Sequence, residues 1–263
     1  MTMDPYAPPQ APLEDQLPSV TGPLIPFEDR NAHPDLGSRI RETFRWILSD
    51  RERAGEALRG ADSLGWPLWF ICLLGYLPAV IPGLLAVFIP RPPVWAGWLH
   101  LPAAAPPQGF VLVISVVSVL VFAPLGLVIG GLVGGLFNHL GLWMVRGNRN
   151  GYGLMVTFRS TLYTAGVFTW ILFPLNLGKS LPGLAGQVFQ ILAGVLMLVV
   201  PATYQGLMLA RTHRVETWRG VAAAWIPGLL LLLCLGTCLG LLFWFAGDAI
   251  LQALRQGRPG LIF

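Results

Sequence analysis

The pattern of apolar and polar positions changes near residue 62. Before it polar and charged side chains are frequent; after it apolar residues run on with few charges between them. About 20 apolar residues in a helix suffice to cross a hydrocarbon core of about 30 Å. Five stretches qualify: Leu64–Pro90, Phe110–Val145, Thr157–Asn176, Leu184–Leu209 and Gly220–Ala246. The second contains no Asp, Glu, Lys or Arg, and as a straight helix it would measure about 54 Å. It is expected to be one crossing that tilts, kinks at Pro124 or runs into the interface, though whether it is continuous or broken stays open. Arg91 to Gly109, with five prolines, Trp95 and Trp98, reads as an interfacial loop.

Between Asp35 and Arg59 the period is helical. Leu36, Ile40, Phe44, Ile47 and Leu48 recur on one side, and most of the arginines fall elsewhere. This predicts an amphipathic helix over residues 35–62, broken near Ser49. It suits either the headgroup zone of an anionic leaflet or the cytosolic loops of its own membrane domain. Met1 to Pro26 holds seven prolines and no apolar period, so residues 1–34 are expected to be a disordered Pro-rich tail. Residues 63–263 then form the membrane domain. The expected fold class is an all-α membrane protein: a five-span transmembrane helical bundle with an amphipathic N-terminal helix.

Composition sharpens this picture. With 54% hydrophobic and 11% charged residues, the chain is too apolar for a water-soluble enzyme or a nucleic-acid-binding module. Eighteen of the thirty charged side chains lie in residues 1–62. With the N-terminus in the cytosol, thirteen Lys or Arg fall inside and four outside, namely Arg91, Lys179, Arg255 and Arg258. That asymmetry points to the cytoplasmic (inner) membrane with a cytosolic N-terminus. Cys72, Cys234 and Cys238 lie in apolar stretches and read as packing residues. No cleavable signal peptide and no internal repeat is apparent.

Candidate chemistry is sparse. After Asp62 the carboxylates are Glu216 and Asp248, expected on opposite sides of the bilayer, where they cannot act as an acid/base pair. His33, His100, His139 and His213 are expected in tail, outer loop, span and inner loop, and no metal-ligand spacing is present. No catalytic residue, metal or cofactor is expected. Intramembrane polar residues say more. Asn138, His139, Thr157, Arg159 and Tyr163 lie near the inner ends of two spans, with Arg159 and Tyr163 four apart on one face. They could form a cytosol-facing polar pocket for a lipid headgroup or small anion. Alternatively, Arg159 snorkels to the interface while Asn138 ties the bundle together. Gly126, Gly130, Gly131, Gly134 and Gly135 form overlapping GxxxG steps for close helix packing, within the chain or in a homo-oligomer. Tyr204 and Gln205 could join a hydrogen-bond network or line a pathway.

Several phrases resemble a known family. Leu24-Ile25-Pro26-Phe27-Glu28-Asp29-Arg30, then Arg41-Glu42-Thr43-Phe44 with Ile47-Leu48-Ser49, is similar to the cytosolic lead-in of bacterial Yip1-family integral membrane proteins. Asn138-His139-Leu140-Gly141, the glycines 147, 151 and 153, Thr157-Phe158-Arg159 with Tyr163, and Thr212-His213 resemble that family's polar-ended second span, glycine turn, third span and later loop. The resemblance covers about residues 24–246. It implies a five-span domain with a cytosolic N-terminus, and in eukaryotic relatives an association with Rab GTPases and vesicle traffic. The tail here lacks the acidic-aromatic pattern of that branch. The expected function is a non-catalytic scaffold that binds the lipid bilayer and a membrane-protein partner, with a small-molecule or ion transporter or channel as the alternative.

Overall fold

The computed structural model describes residues 23–60, 63–88, 109–147, 152–179, 181 and 183–255. Every regular element among them is a helix: α1 (Leu36–Ser49), α2 (Arg51–Arg59), α3 (Gly65–Phe88), α4 (Gly109–Met144), α5 (Leu154–Ile171), α6 (Phe173–Gly178), α7 (Gly183–Thr212) and α8 (Thr217–Arg255). Residues 1–22 of the expected tail, the prolines and tryptophans of the expected interfacial loop, His100, Gly151 and Arg258 lie outside the described residues.

Among the described residues four helices are long and apolar enough to cross a bilayer: Gly65–Phe88, Gly109–Met144, Gly186–Thr212 and Thr217–Leu241. They take the places of the first, second, fourth and fifth expected spans. The long second stretch is one continuous helix with Pro124 inside it. Where the third span was expected stands α5, and its 18 residues include Arg159, Tyr163 and five Ser or Thr. Eleven of its residues are nevertheless buried, against α3, α4 and α7. A helix enclosed by other helices shows little surface to lipid, so polar side chains are tolerated wherever partners stand ready. It stops at Ile171, and Leu172 separates it from α6, where Pro174 occupies the first turn.

Helices that follow one another along the chain run antiparallel. Gly75 sits beside Leu127 and Gly83 beside Val119 across α3 and α4, while Gly131 meets Leu162 and Gly135 meets Phe158 across α4 and α5. Gly126 and Gly130 look into open space, so only part of the glycine series serves packing within the chain. α7 and α8 approach more closely still, backbone to backbone, at Gly206, Gly220 and Val221.

One end of this bundle carries α1 and α2, and is the capped end. Asp35 starts α1 by accepting a hydrogen bond from the Ser38 amide at 2.7 Å, and Asp50 ends it and starts α2 by accepting from the Arg53 amide. The break expected near Ser49 therefore has a capping residue as its cause. Ile47 is fully buried, whereas Arg41 and Arg45 are exposed. The Tyr204 hydroxyl of α7 donates to the Ile47 and Leu48 carbonyls, and Gly55 of α2 lies against Arg211 at the end of α7. α1 and α2 thus pack on α7 of the same chain.

The tail boundary expected at residue 34 moves towards the N-terminus. Ile25 and Phe27 are fully buried, because Ile25-Pro26-Phe27-Glu28 closes a turn with the Glu28 amide bonded to the Ile25 carbonyl at 2.8 Å. Proline at the second position of a turn is held near the φ that the turn requires. Phe27 then enters an aromatic cluster, 4.9 Å from Phe70, 6.0 Å from Trp66 and 6.4 Å from Tyr163 between ring centroids. Burial of Ile25 and Phe27 offsets the chain entropy that argued for disorder.

Candidate functional site

The turn that buries Phe27 also delivers Glu28 to α5. A Glu28 carboxylate oxygen accepts from Arg159 Nη2 at 2.7 Å and from the Tyr163 hydroxyl at 2.7 Å. Arg159 is completely buried, and its other two nitrogens donate to backbone: Nε to the Leu58 carbonyl at 3.2 Å and Nη1 to the Ser63 carbonyl at 2.7 Å. The guanidinium thus ties together the N-terminal segment, the end of α2, the start of α3 and α5. Snorkelling of Arg159 to the interface, one of the two sequence readings, does not occur, because Glu28 and the carbonyls come to the side chain. A buried charge is tolerable only with this degree of pairing.

The five residues expected in one polar pocket fall into separate groups. Asn138 and His139 do not reach Arg159 or Tyr163. Positions 157 and 159 are about 200° apart around a helix, so Thr157 faces away from the arginine. His139 Nδ1 and His213 Nε2 each lie 3.0 Å from Thr157 Oγ1, and the two imidazoles are 6.5 Å apart. These histidines, expected apart in a span and a loop, share one site. Tyr152 adds an edge-on contact to His213 at 6.1 Å, and Arg59 lies over the Tyr152 ring.

A third group lies one turn further along α5. The Asn138 amide donates to Thr161 Oγ1 at 3.1 Å, and the Gln205 amide reaches Ser160 and Thr161 at 3.4 and 3.3 Å. Asn138 therefore does tie helices together, and Gln205 is part of the network. Its companion Tyr204 instead holds α1. Among the described residues no group of three or more His, Cys, Asp or Glu could hold a metal ion.

Burial, with His139 and Arg59 nearby, pushes the His213 imidazole down to about 4. In the unfolded chain a histidine titrates near 6.5, so between pH 6.5 and 4 the unfolded state binds more protons and stability falls as pH drops. Below the folded value this contribution is fully lost. The expected loss is at most roughly 3 kcal/mol. Detergent-solubilised protein melted at pH 7 and pH 4.5 checks it: the wild-type drop should shrink in His213→Gln, and an equal drop in both would exclude His213 as its source.

The described residues define an all-helical fold with four helices able to cross a membrane, the composition of a multi-pass membrane protein. No protein-family model, curated protein or solved structure matches the chain.

Proposed function

We propose that this chain is a non-catalytic, Yip1-like integral membrane protein of five spans, set in the cytoplasmic (inner) membrane with its N-terminus in the cytosol, and that it works as a partner-binding or membrane-organising scaffold. In this reading α5 is the third crossing, shielded from lipid by its neighbours. The observation that carries the proposal is the enclosure of Arg159. Each of its three nitrogens donates within the chain and none of its surface is open, so a substrate or a passing ion has no access to it. Support for the family likeness comes from the phrases on which it rests: Glu28 of the lead-in pairs with Arg159 and Tyr163 of the third-span phrase. Arg59, Arg211 and Arg214 gather at the capped end, which favours a cytosolic placement of that end. The exposed Arg41 and Arg45 leave a face of α1 for a partner or for acidic headgroups.

Transport is the second reading. It is favoured by the polar groups on the far side of α5, where His213, Thr157 and His139 lie on one level and Asn138, Thr161 and Gln205 on the next. Two measurements decide. Five crossings place the termini on opposite faces, so tags at the two ends should label from opposite sides, whereas a shared side would leave an even number of crossings. Vesicles reconstituted with the protein should show no ion flux above protein-free vesicles, and a flux abolished by His139→Gln, on the polar side of α5, would favour the transporter.

A further inference from the structure

Between α4, α5, α7 and α8 lies a cavity of about 320 Å³, within the size range of small-molecule sites. α4 and α8 touch near the capped end, where Gly141 meets the Ala223 carbonyl. Further along, Phe137 of α4 and Leu231 of α8 both line the cavity and are exposed on the apolar outer surface, which places its mouth between them. Along α8 from Thr217, Pro227 to Leu231 lie about 15–21 Å into the helix, at the depth of acyl chains rather than headgroups. Pro227 and Gly228 form part of the wall, and a side chain at Gly228 would meet open space.

The inner end is polar and uncharged. Asn138, Thr161, Thr164 and Gln205 line it, and no Lys, Arg, Asp or Glu does. Thr164 is 1% exposed, and its hydroxyl has no hydrogen-bond partner. That is unlike Thr161 and Thr169 of the same helix, which bond back to the carbonyls four residues earlier at 2.9 and 2.7 Å. A buried hydroxyl without a partner costs free energy unless something comes to it. Asn138 and Gln205 line the same wall, their amide nitrogens donating to Thr161 and Ser160.

We propose that this cavity binds a neutral amphiphile drawn sideways from the bilayer. Its hydroxyl or ester head hydrogen-bonds to Thr164, Gln205 and Asn138, and its chain leaves between α4 and α8 past Phe137 and Leu231. An anionic head is disfavoured because it would be buried with no cation beside it. The site requires only that the membrane-crossing helices lie in a bilayer, and it serves a scaffold or a transporter alike.

The test uses the full chain in phosphatidylcholine nanodiscs with a photoreactive, alkyne-tagged diacylglycerol. Labelling should saturate, map to α4 and α8 near Phe137 and Leu231, and be competed by untagged diacylglycerol at least tenfold better than by phosphatidic acid of the same chains. Gly228→Phe, which fills the cavity, should abolish it. Thr164→Val should weaken it about fivefold, and Gly240→Phe, in open space further along α8, should leave it intact. Labelling that does not saturate, that ignores both Gly228→Phe and Thr164→Val, or that phosphatidic acid competes equally well would overturn the proposal.

Discussion

Replacing Glu28 by alanine should destabilise the bundle by about 3–5 kcal/mol, the cost typical of leaving one member of a buried ion pair without its partner. Arg159 has no exposed surface through which water could compensate, and Glu28 itself is 4% exposed at its side chain. The Tyr163 hydroxyl loses its acceptor at the same time. For a domain of this size the corresponding fall in melting temperature is on the order of 10 °C. Glu28→Gln keeps an acceptor and the packing, so its loss should be smaller. Thermal unfolding in one detergent, read by intrinsic fluorescence, compares the two. An alanine variant that melts with the wild type would mean that the N-terminal segment is not held at α5.

The second large effect is expected at Gly220. A methyl group there would run into the Gly206 carbonyl and lie 2.7 Å from the Ala210 side chain and amide. The obstacle is mostly backbone, which cannot turn aside as a side chain can. Gly141, against the Ala223 carbonyl, is in the same position, and its close approach has a local cause. Pro227 has no amide hydrogen, so the carbonyl four residues before it lacks the usual helical donor. Gly220→Ala and Gly141→Ala should each cost about 3 kcal/mol, the upper end for overpacking. Gly126→Ala and Gly130→Ala, where nothing lies within 4 Å, should stay within about 0.5 kcal/mol of the parent. The measurement is the rank order of melting temperatures; equal effects at all four glycines would contradict the packing described.

Hydropathy suffices to place the four apolar helices because the bilayer demands an apolar exterior over a fixed length, and α3, α4, α7 and α8 meet that demand mostly with their own side chains. It is less decisive for α5, whose composition answers to protein neighbours instead of lipid. The pairing of Arg159 and Tyr163 on one face was legible from their spacing. Their partner was not, since Glu28 lies 131 positions before Arg159 and helical periodicity carries no information at that range. A hint was present: Ile25 and Phe27 are bulky apolar residues in a polar, proline-rich segment, and an arginine amid apolar spans calls for an acid. The meeting of His139 with His213 was hidden for a similar reason. Each stands at the end of a different helix, α4 and α7, and only α5, inserted between them, supplies the threonine that joins their rings. Thr164 gave no signal at all, because one threonine in a helix carrying several others is ordinary until its hydroxyl proves to have no partner.

The pairing of Glu28 with Arg159 is best tested by a double-mutant cycle in which Glu28→Gln, Arg159→Met and the double variant are unfolded reversibly in the same detergent mixture. A direct buried pair should give a coupling energy of about 2 kcal/mol or more, with the double variant more stable than the sum of the single losses allows. Losses that add to within about 0.5 kcal/mol would show that the two side chains do not meet.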